Sequence, residues 1–96
     1  MNKNSLTSAL SQIWALVNRS TQETLTSAHE SELSAAIGSL ESEWDDSDIY
    51  AGRAAHVAMC ARMLLAALNS HPPRRPSGRR MLIEDCQFLL HYLAPK

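Results

Sequence analysis

Four stretches of the chain repeat apolar residues every three or four positions, which is the spacing of one face of an α-helix. The first, over about residues 5–18, carries Leu6, Leu10, Ile13 and Val17 on that face. No stretch alternates apolar and polar residues with a period of two, the pattern of a half-buried strand. The sequence therefore predicts an all-α fold.

The second predicted helix covers residues 21–44 and begins at a capping box. In this motif the side chains of Ser20 and Glu23 accept hydrogen bonds from each other's backbone N–H groups. Gly38 lies inside the helix, where glycine is about 1 kcal/mol less favourable than alanine. We therefore expect another helix backbone to approach closely at Gly38. The opposite side carries glutamates and faces water or a basic partner.

The third predicted helix, over residues 49–69, is apolar around nearly its whole circumference. A helix of this kind is normally buried, and three other helices could scarcely cover it in a chain of 96 residues. We therefore expect a homodimer that forms through this helix. Seven residues are assigned to the self-association surface: Tyr50, Val57, Met59, Ala61, Met63, Leu64 and Leu68.

A segment rich in proline and arginine, over residues 70–78, separates the third helix from a fourth over residues 79–93. Proline removes a backbone donor and disfavours helix at the residue before it, so this segment is interpreted as an extended linker. Residues 1–96 are then a single helical domain with a four-helix, bundle-like architecture. Helices two and three are expected to form a long antiparallel hairpin.

The net charge of −1 hides an uneven distribution. Eight acidic residues and no lysine or arginine lie between positions 20 and 52, whereas six arginines and no acid lie between positions 53 and 80. Such a division is typical of complementary packing or of a charged binding face.

The sequence predicts a cytoplasmic protein without membrane contact. The N-terminal residues are polar and are not followed by the apolar core of a signal peptide. The longest apolar run, residues 57–68, is interrupted by Arg62 and is too short to cross a bilayer. Cys60 and Cys86 lie inside apolar helical patterns without the spacing of a disulfide framework, so both are interpreted as reduced core thiols.

Candidate metal and catalytic residues are few. His56 and Cys60 are four positions apart, but Cys86 and His91 are five apart and therefore diverge around a helix, which makes a shared zinc site a poor fit. The chain has no phosphate loop, no nucleophile elbow and no Rossmann glycine pattern. We expect no catalytic residue, no cofactor and no metal. Three methionines, Met59, Met63 and Met81, are interpreted as ordinary core residues rather than as an adaptable binding surface.

The strongest charge cluster consists of Arg74, Arg75, Arg79 and Arg80, which are assigned to partner binding. Guanidinium groups bind carboxylates and phosphates through paired hydrogen bonds, so protein and nucleic-acid partners both remain open. The pI of about 6.4 and the acidic second helix disfavour nucleic acid. The favoured interpretation is a small non-enzymatic regulatory or adaptor protein that sequesters a protein partner, of the inhibitor, anti-activator or chaperone type. The alternative is a nucleic-acid-binding regulator that uses the basic segment from Arg74 to Arg80.

Overall fold

The computed structural model describes residues 1–68 and 78–94. These residues form four helices and, within the two described ranges, no strand. The helices are α1 (Lys3–Ser20), α2 (Ser27–Glu43), α3 (Ala51–Leu68) and α4 (Arg79–Leu93). The all-α prediction is confirmed, and the predicted bounds of the fourth helix match the structure. The predicted linker lies outside the described residues except for Gly78.

Each helix packs against two neighbours, which gives the molecule a bundle-like form. The α1 helix lies against α2 and α4, and the α3 helix also lies against α2 and α4. All four helices contribute side chains to one core, because each has an apolar face of the kind that its sequence predicts. The ten largest fully buried side chains are Leu6, Leu10, Ile13, Val17, Leu33, Ile37, Leu40, Val57, Cys86 and Leu89.

The capping box of α2 lies six residues later than the sequence pattern predicts. Ser20 ends α1, and its hydroxyl donates to the carbonyl oxygen of Val17 at 2.6 Å, while Glu23 accepts from Arg19. The box itself is formed by Thr26 and His29. The Thr26 hydroxyl accepts from the His29 backbone N–H, and His29 Nδ1 accepts from the Thr26 backbone N–H, both at 3.2 Å. The His29 side chain thus accepts the hydrogen bond that a glutamate accepts in the usual capping box.

Gly38 does not mark a close helix crossing. A Cβ atom built on this residue would meet no other atom within 4 Å, so no neighbouring backbone requires a glycine there. The interpretation of Gly38 as a contact point is wrong. No close helix contact accounts for the lower helix propensity of glycine at this position.

The apolar surface of α3 is covered more fully than the sequence argument allows. Val57, Ala61 and Leu64 are completely or almost completely buried within a single chain. Within one chain this side of α3 is therefore covered by the shared core between α2 and α4, and the self-association surface stays a prediction. The methionines of α3 lie elsewhere: Met59 and Met63 are exposed.

Candidate binding groove between α3 and α4

The α3 and α4 helices lie antiparallel and make the least extensive contact of the four adjacent pairs. Near the start of α3, the ring of Tyr50 contacts those of Tyr92 and Phe88, with centroids 4.6 and 5.0 Å apart. Further along, Arg53 reaches Asp85. Contacts therefore run forward along α3 and backward along α4.

Aromatic rings and one carboxylate close the first end of this interface. The Trp44 ring stacks near Tyr92, with centroids 6.3 Å apart. Asp48 accepts three hydrogen bonds, from the Tyr92 hydroxyl at 2.7 Å, the Tyr50 backbone N–H at 3.0 Å and Trp44 Nε1 at 3.2 Å. Burial alone would raise the pKa of Asp48, but these hydrogen bonds outweigh it and lower the pKa. The carboxylate is thus held charged.

A polar cluster occupies the middle of the interface. Asp85 Oδ1 lies 3.4 Å from Arg53 Nε, and Asp85 Oδ2 lies 3.9 Å from His56 Nδ1. The Arg53 guanidinium also lies 4.0 Å above the centre of the Phe88 ring, a cation–π contact. These partners explain why an acidic residue is tolerated against an apolar helix.

Cys60 adjoins this cluster, with its Sγ 3.6 Å from His56 Nε2. Burial, and secondarily the charge of Asp85, raises the pKa of the Cys60 thiol. The group is therefore protonated at neutral pH. Because the thiolate is the nucleophilic form, this arrangement does not amount to an activated nucleophile.

Beyond the cluster a groove of about 440 Å³ lies between the two helices. Leu64 and Leu82 are buried against the core beneath it, and Met63 and Met81 line it from opposite helices while remaining 64% and 66% exposed. Arg79 and Asp85 contribute charged side chains to its lining. The interpretation of the methionines as core residues is wrong for all three, because Met59 is also 52% exposed.

Exposed apolar surface is concentrated on this side of the bundle. Apart from Met1, every exposed large hydrophobic side chain in the described ranges belongs to α3, α4 or the turn before α3. Single exposed hydrophobic residues are normal, but a cluster beside a groove is typical of a binding site. The sequence does not show that these residues of α3 meet solvent, since the helix is apolar on nearly every side.

The predicted partner-binding arginines divide into two groups. Arg74 and Arg75 lie outside the described residues. Arg79 donates from Nη1 to the carbonyl oxygen of Ser20 at 2.7 Å, so it caps the negative end of the α1 dipole. Arg80 is largely exposed and pairs with Glu84, one turn further along the same helix.

Arg79 and Arg80 of α4 contact Ser20 and Glu84, respectively. A contact with an acidic residue of α2 is made by Arg62 of α3, whose Nε and Nη2 donate to the two carboxylate oxygens of Glu41. The hydrogen bonds from Arg62 lower the pKa of Glu41, and Glu41 raises the pKa of Arg62.

Among the remaining residues assigned to self-association, Tyr50 and Leu68 are half-buried against the core.

Within residues 1–68 and 78–94, no set of three histidine, cysteine, aspartate or glutamate side chains is placed to hold a metal ion. In the same ranges one helix, Ala51–Leu68, is long and apolar enough to cross a membrane by length and composition, a test that core helices of soluble proteins also pass.

Comparison of the chain with protein-family models, curated proteins and solved structures gives no match. The proposed function therefore rests on the groove between α3 and α4 and on the charges around it.

Proposed function

We propose that this protein is a non-enzymatic regulator or adaptor that sequesters a helical segment of a partner protein in the groove between α3 and α4. One observation carries the proposal: Met63 and Met81 line the groove from its two sides and leave about two thirds of their surface in water. An apolar surface of this kind is stabilised when a partner covers it.

The shape of the groove favours a helix as its occupant. Two antiparallel helices leave between them a channel into which the apolar stripe of a third helix packs, ridge into groove. The groove-lining residues of α4 run from Gly78 to Asp85, about 10 Å along the helix axis, which matches about two turns of a bound helix. Methionine side chains adapt to irregular partners, since they are unbranched and polarizable. This mode of binding suits an inhibitor, an anti-activator or a chaperone.

The remaining features of the proposal come from the sequence. We place the protein in the cytoplasm, without a membrane partner, because Cys60 and Cys86 are free thiols and fit a reducing compartment. A homodimer stays part of the proposal, but its contacts would have to come from exposed residues outside the groove, such as Met59, rather than from the buried side of α3. Sedimentation equilibrium at micromolar concentration tests it, with a dimer at twice the chain mass of 10.6 kDa as the expected result.

Binding of a designed amphipathic helical peptide, measured by calorimetry, tests the groove. We expect Met63→Glu and Met81→Glu each to weaken binding by at least about tenfold, because a carboxylate would have to be desolvated beneath the peptide. Ile49→Glu is the matched control, since Ile49 is 78% exposed but does not line the groove.

The control should bind the peptide as the unchanged protein does, and all three variants should keep the same helical circular dichroism. Equal affinity in all three variants, or no binding of any amphipathic peptide to the unchanged protein, would refute the proposed function.

A further inference from the structure

We infer that His56, Cys60 and Met63 form a binding site for a soft monovalent metal ion, Cu(I), on the α3 wall of the groove. The three residues follow one another at spacings of four and three, so they lie on one face of the helix, and all three line the groove. The site goes beyond the proposed function and does not depend on it, since an ion can bind here whether or not the groove also receives a helix.

The imidazole of His56 and the thiol of Cys60 are close enough to hold the same ion. Cys60 Sγ lies 3.6 Å from His56 Nε2 and 3.8 Å from Nδ1. With sulfur and nitrogen bonds of the lengths found in zinc sites, about 2.3 Å and about 2.0 Å, a sulfur–nitrogen distance of 3.6 Å corresponds to an angle of about 110° at the ion. The spacing along α3 therefore presents two ligands without a change of backbone.

Asp85 determines which ring nitrogen of His56 is free to bind. Its Oδ2 lies 3.9 Å from His56 Nδ1, so its negative charge favours the tautomer with the proton on Nδ1. Nε2, the nitrogen nearer to Cys60 Sγ, then keeps its lone pair for the ion. Metal-binding histidines commonly have a carboxylate beside the other ring nitrogen, which orients the ring and makes it a stronger ligand. Asp85 is therefore a positioning residue for this site.

The surroundings of Cys60 suit a metal-bound thiolate better than a free one. Burial and the charge of Asp85 raise the pKa of the thiol, because both disfavour a bare thiolate. When Cu(I) binds, the S–H bond breaks, its proton goes to solvent and a sulfur–copper bond forms, without electron transfer. The positive ion cancels the thiolate charge and is itself attracted by Asp85. The site thus keeps its thiol protonated until the ion arrives.

The thioether of Met63 supplies the third ligand and selects the metal. Met63 is 64% exposed, so its unbranched side chain is free to turn towards the ion. Thiolate and thioether sulfurs are soft ligands that favour Cu(I). Within residues 1–68 and 78–94 no set of three histidine, cysteine or acidic side chains is placed to hold a metal, so zinc is not the ion that this site suits. For Cu(I) alone, the sequence-based expectation of no metal is replaced by this proposal.

Competition with bicinchoninate, a chromogenic chelator of Cu(I), tests the site. The reduced full-length chain is titrated into the chelator complex without oxygen, and we expect each chain to withdraw a single Cu(I) ion. Cys60→Ser should lower the affinity at least about 100-fold, and His56→Gln about tenfold, because each removes a ligand. An equal amount of Zn²⁺ should not displace the bound Cu(I).

The methionines provide matched variants. Met63→Leu should weaken Cu(I) binding by roughly tenfold, since leucine keeps the volume and loses the sulfur. Met59→Leu is the control, because Met59 is also exposed on α3 but does not line the groove. Met81→Leu, on the α4 wall, should likewise retain the affinity. All three positions are exposed, so circular dichroism should show the same helical fold.

Two further readouts locate the ion. Bound Cu(I) should protect Cys60 from iodoacetamide, and it should shift the ¹⁵N resonance of His56 Nε2 more than that of Nδ1. Asp85→Asn should weaken Cu(I) binding by about tenfold and reduce this difference between the two nitrogens, as expected if Asp85 fixes the tautomer. A purely structural role for Asp85 would leave the difference unchanged.

The outcomes are distinct from those for the proposed function. If the chain withdraws no Cu(I) from the chelator, or if Cys60→Ser binds as tightly as the unchanged protein, the site does not exist. If Met59→Leu and Met63→Leu have equal effects, or if only Met81→Leu weakens binding, the third ligand is wrong. These measurements use no peptide, so their failure leaves helix binding untouched, and failure of peptide binding leaves the copper site standing.

Discussion

The Tyr92 hydroxyl, in the last turn of α4, donates a 2.7 Å hydrogen bond to Oδ1 of Asp48, which lies between α2 and α3. Oδ2 of the same carboxylate accepts from Trp44 Nε1 and from the Tyr50 backbone N–H. A single side chain therefore joins the end of α2, the start of α3 and the end of α4, at the end of the bundle away from the open groove.

Loss of this carboxylate should destabilise the fold. We expect Asp48→Ala to lower the free energy of unfolding by about 2–3 kcal/mol, because three donors lose their acceptor, and Tyr92→Phe to lower it by about 1 kcal/mol. Urea denaturation provides the measurement. Asp46→Ala is the control and should change stability by less than about 0.5 kcal/mol, since Asp46 is exposed. Equal effects at positions 46 and 48 would show that the hydrogen-bonded cluster contributes nothing.

Lowering the pH should remove the stabilisation that the Asp48 carboxylate gives to the unchanged protein. The folded-state pKa of Asp48 lies below its ordinary value, since its hydrogen bonds outweigh the effect of burial. Its stabilisation is therefore present above the unfolded pKa, near about 4, and is lost as the pH falls through the folded pKa.

Asp48→Asn should flatten the acid side of the stability profile, measured as the urea midpoint between neutral and acidic pH. Glu41 and Asp45 also have lowered pKa values, so part of the acid dependence should remain. Asp46→Asn is the control for a change of net charge. An acid profile unchanged by Asp48→Asn would contradict the assignment.

The two free thiols should differ sharply in reactivity. Burial raises the pKa of Cys86 to about 12, and its side chain is fully enclosed, whereas Cys60 is only partly covered. We expect iodoacetamide to alkylate Cys60 in the native protein, more slowly than a free cysteine because its pKa is also raised. Cys86 should react only after unfolding. Mass spectrometry of Cys60→Ser and Cys86→Ser proteins distinguishes the sites, and equal native rates would contradict this account.

The arginines assigned to partner binding allow a direct test of the nucleic-acid alternative. If Arg74, Arg75, Arg79 and Arg80 contacted DNA phosphates, the log–log slope of affinity against salt would be about −3.6, and a fourfold rise in salt would weaken binding roughly 150-fold. We expect negligible DNA affinity even at low salt, because the acidic half of the chain repels the phosphate backbone.

A variant with alanine at positions 74, 75 and 80 serves as the comparison and retains the bond from Arg79 to the carbonyl oxygen of Ser20. Tight, salt-sensitive duplex binding that disappears in this variant would establish the nucleic-acid alternative instead.

Periodicity alone determined the helical class and most of the core. In α1 the stripe of Leu6, Leu10, Ile13 and Val17 is fully buried, as predicted. This burial could be predicted because polar residues occupy the opposite side of the helix, so the pattern shows which side faces the core. The start of α4 was equally clear, since the helix follows a segment with three prolines that ends in Gly78.

Local cap signals did not determine where α2 begins. Ser20 and Glu23 match a capping box as well as any pair in the chain, but Ser20 ends α1 and the box forms at Thr26 and His29. Either pair can accept hydrogen bonds from the free backbone N–H groups at the start of a helix. The choice therefore depends on which residues the packing of α1 and α2 leaves in the connecting turn.

Only the tertiary structure decided which side of α3 meets solvent. The sequence of this helix is apolar almost all round, so it specifies burial without specifying a direction. Packing encloses Val57, Ala61 and Leu64 and leaves Met59 and Met63 outside. The polar cluster beside the groove depends in addition on bringing Arg53 and His56 next to Asp85 across the α3–α4 interface. No local pattern encodes that contact, because it exists only once the two helices pack.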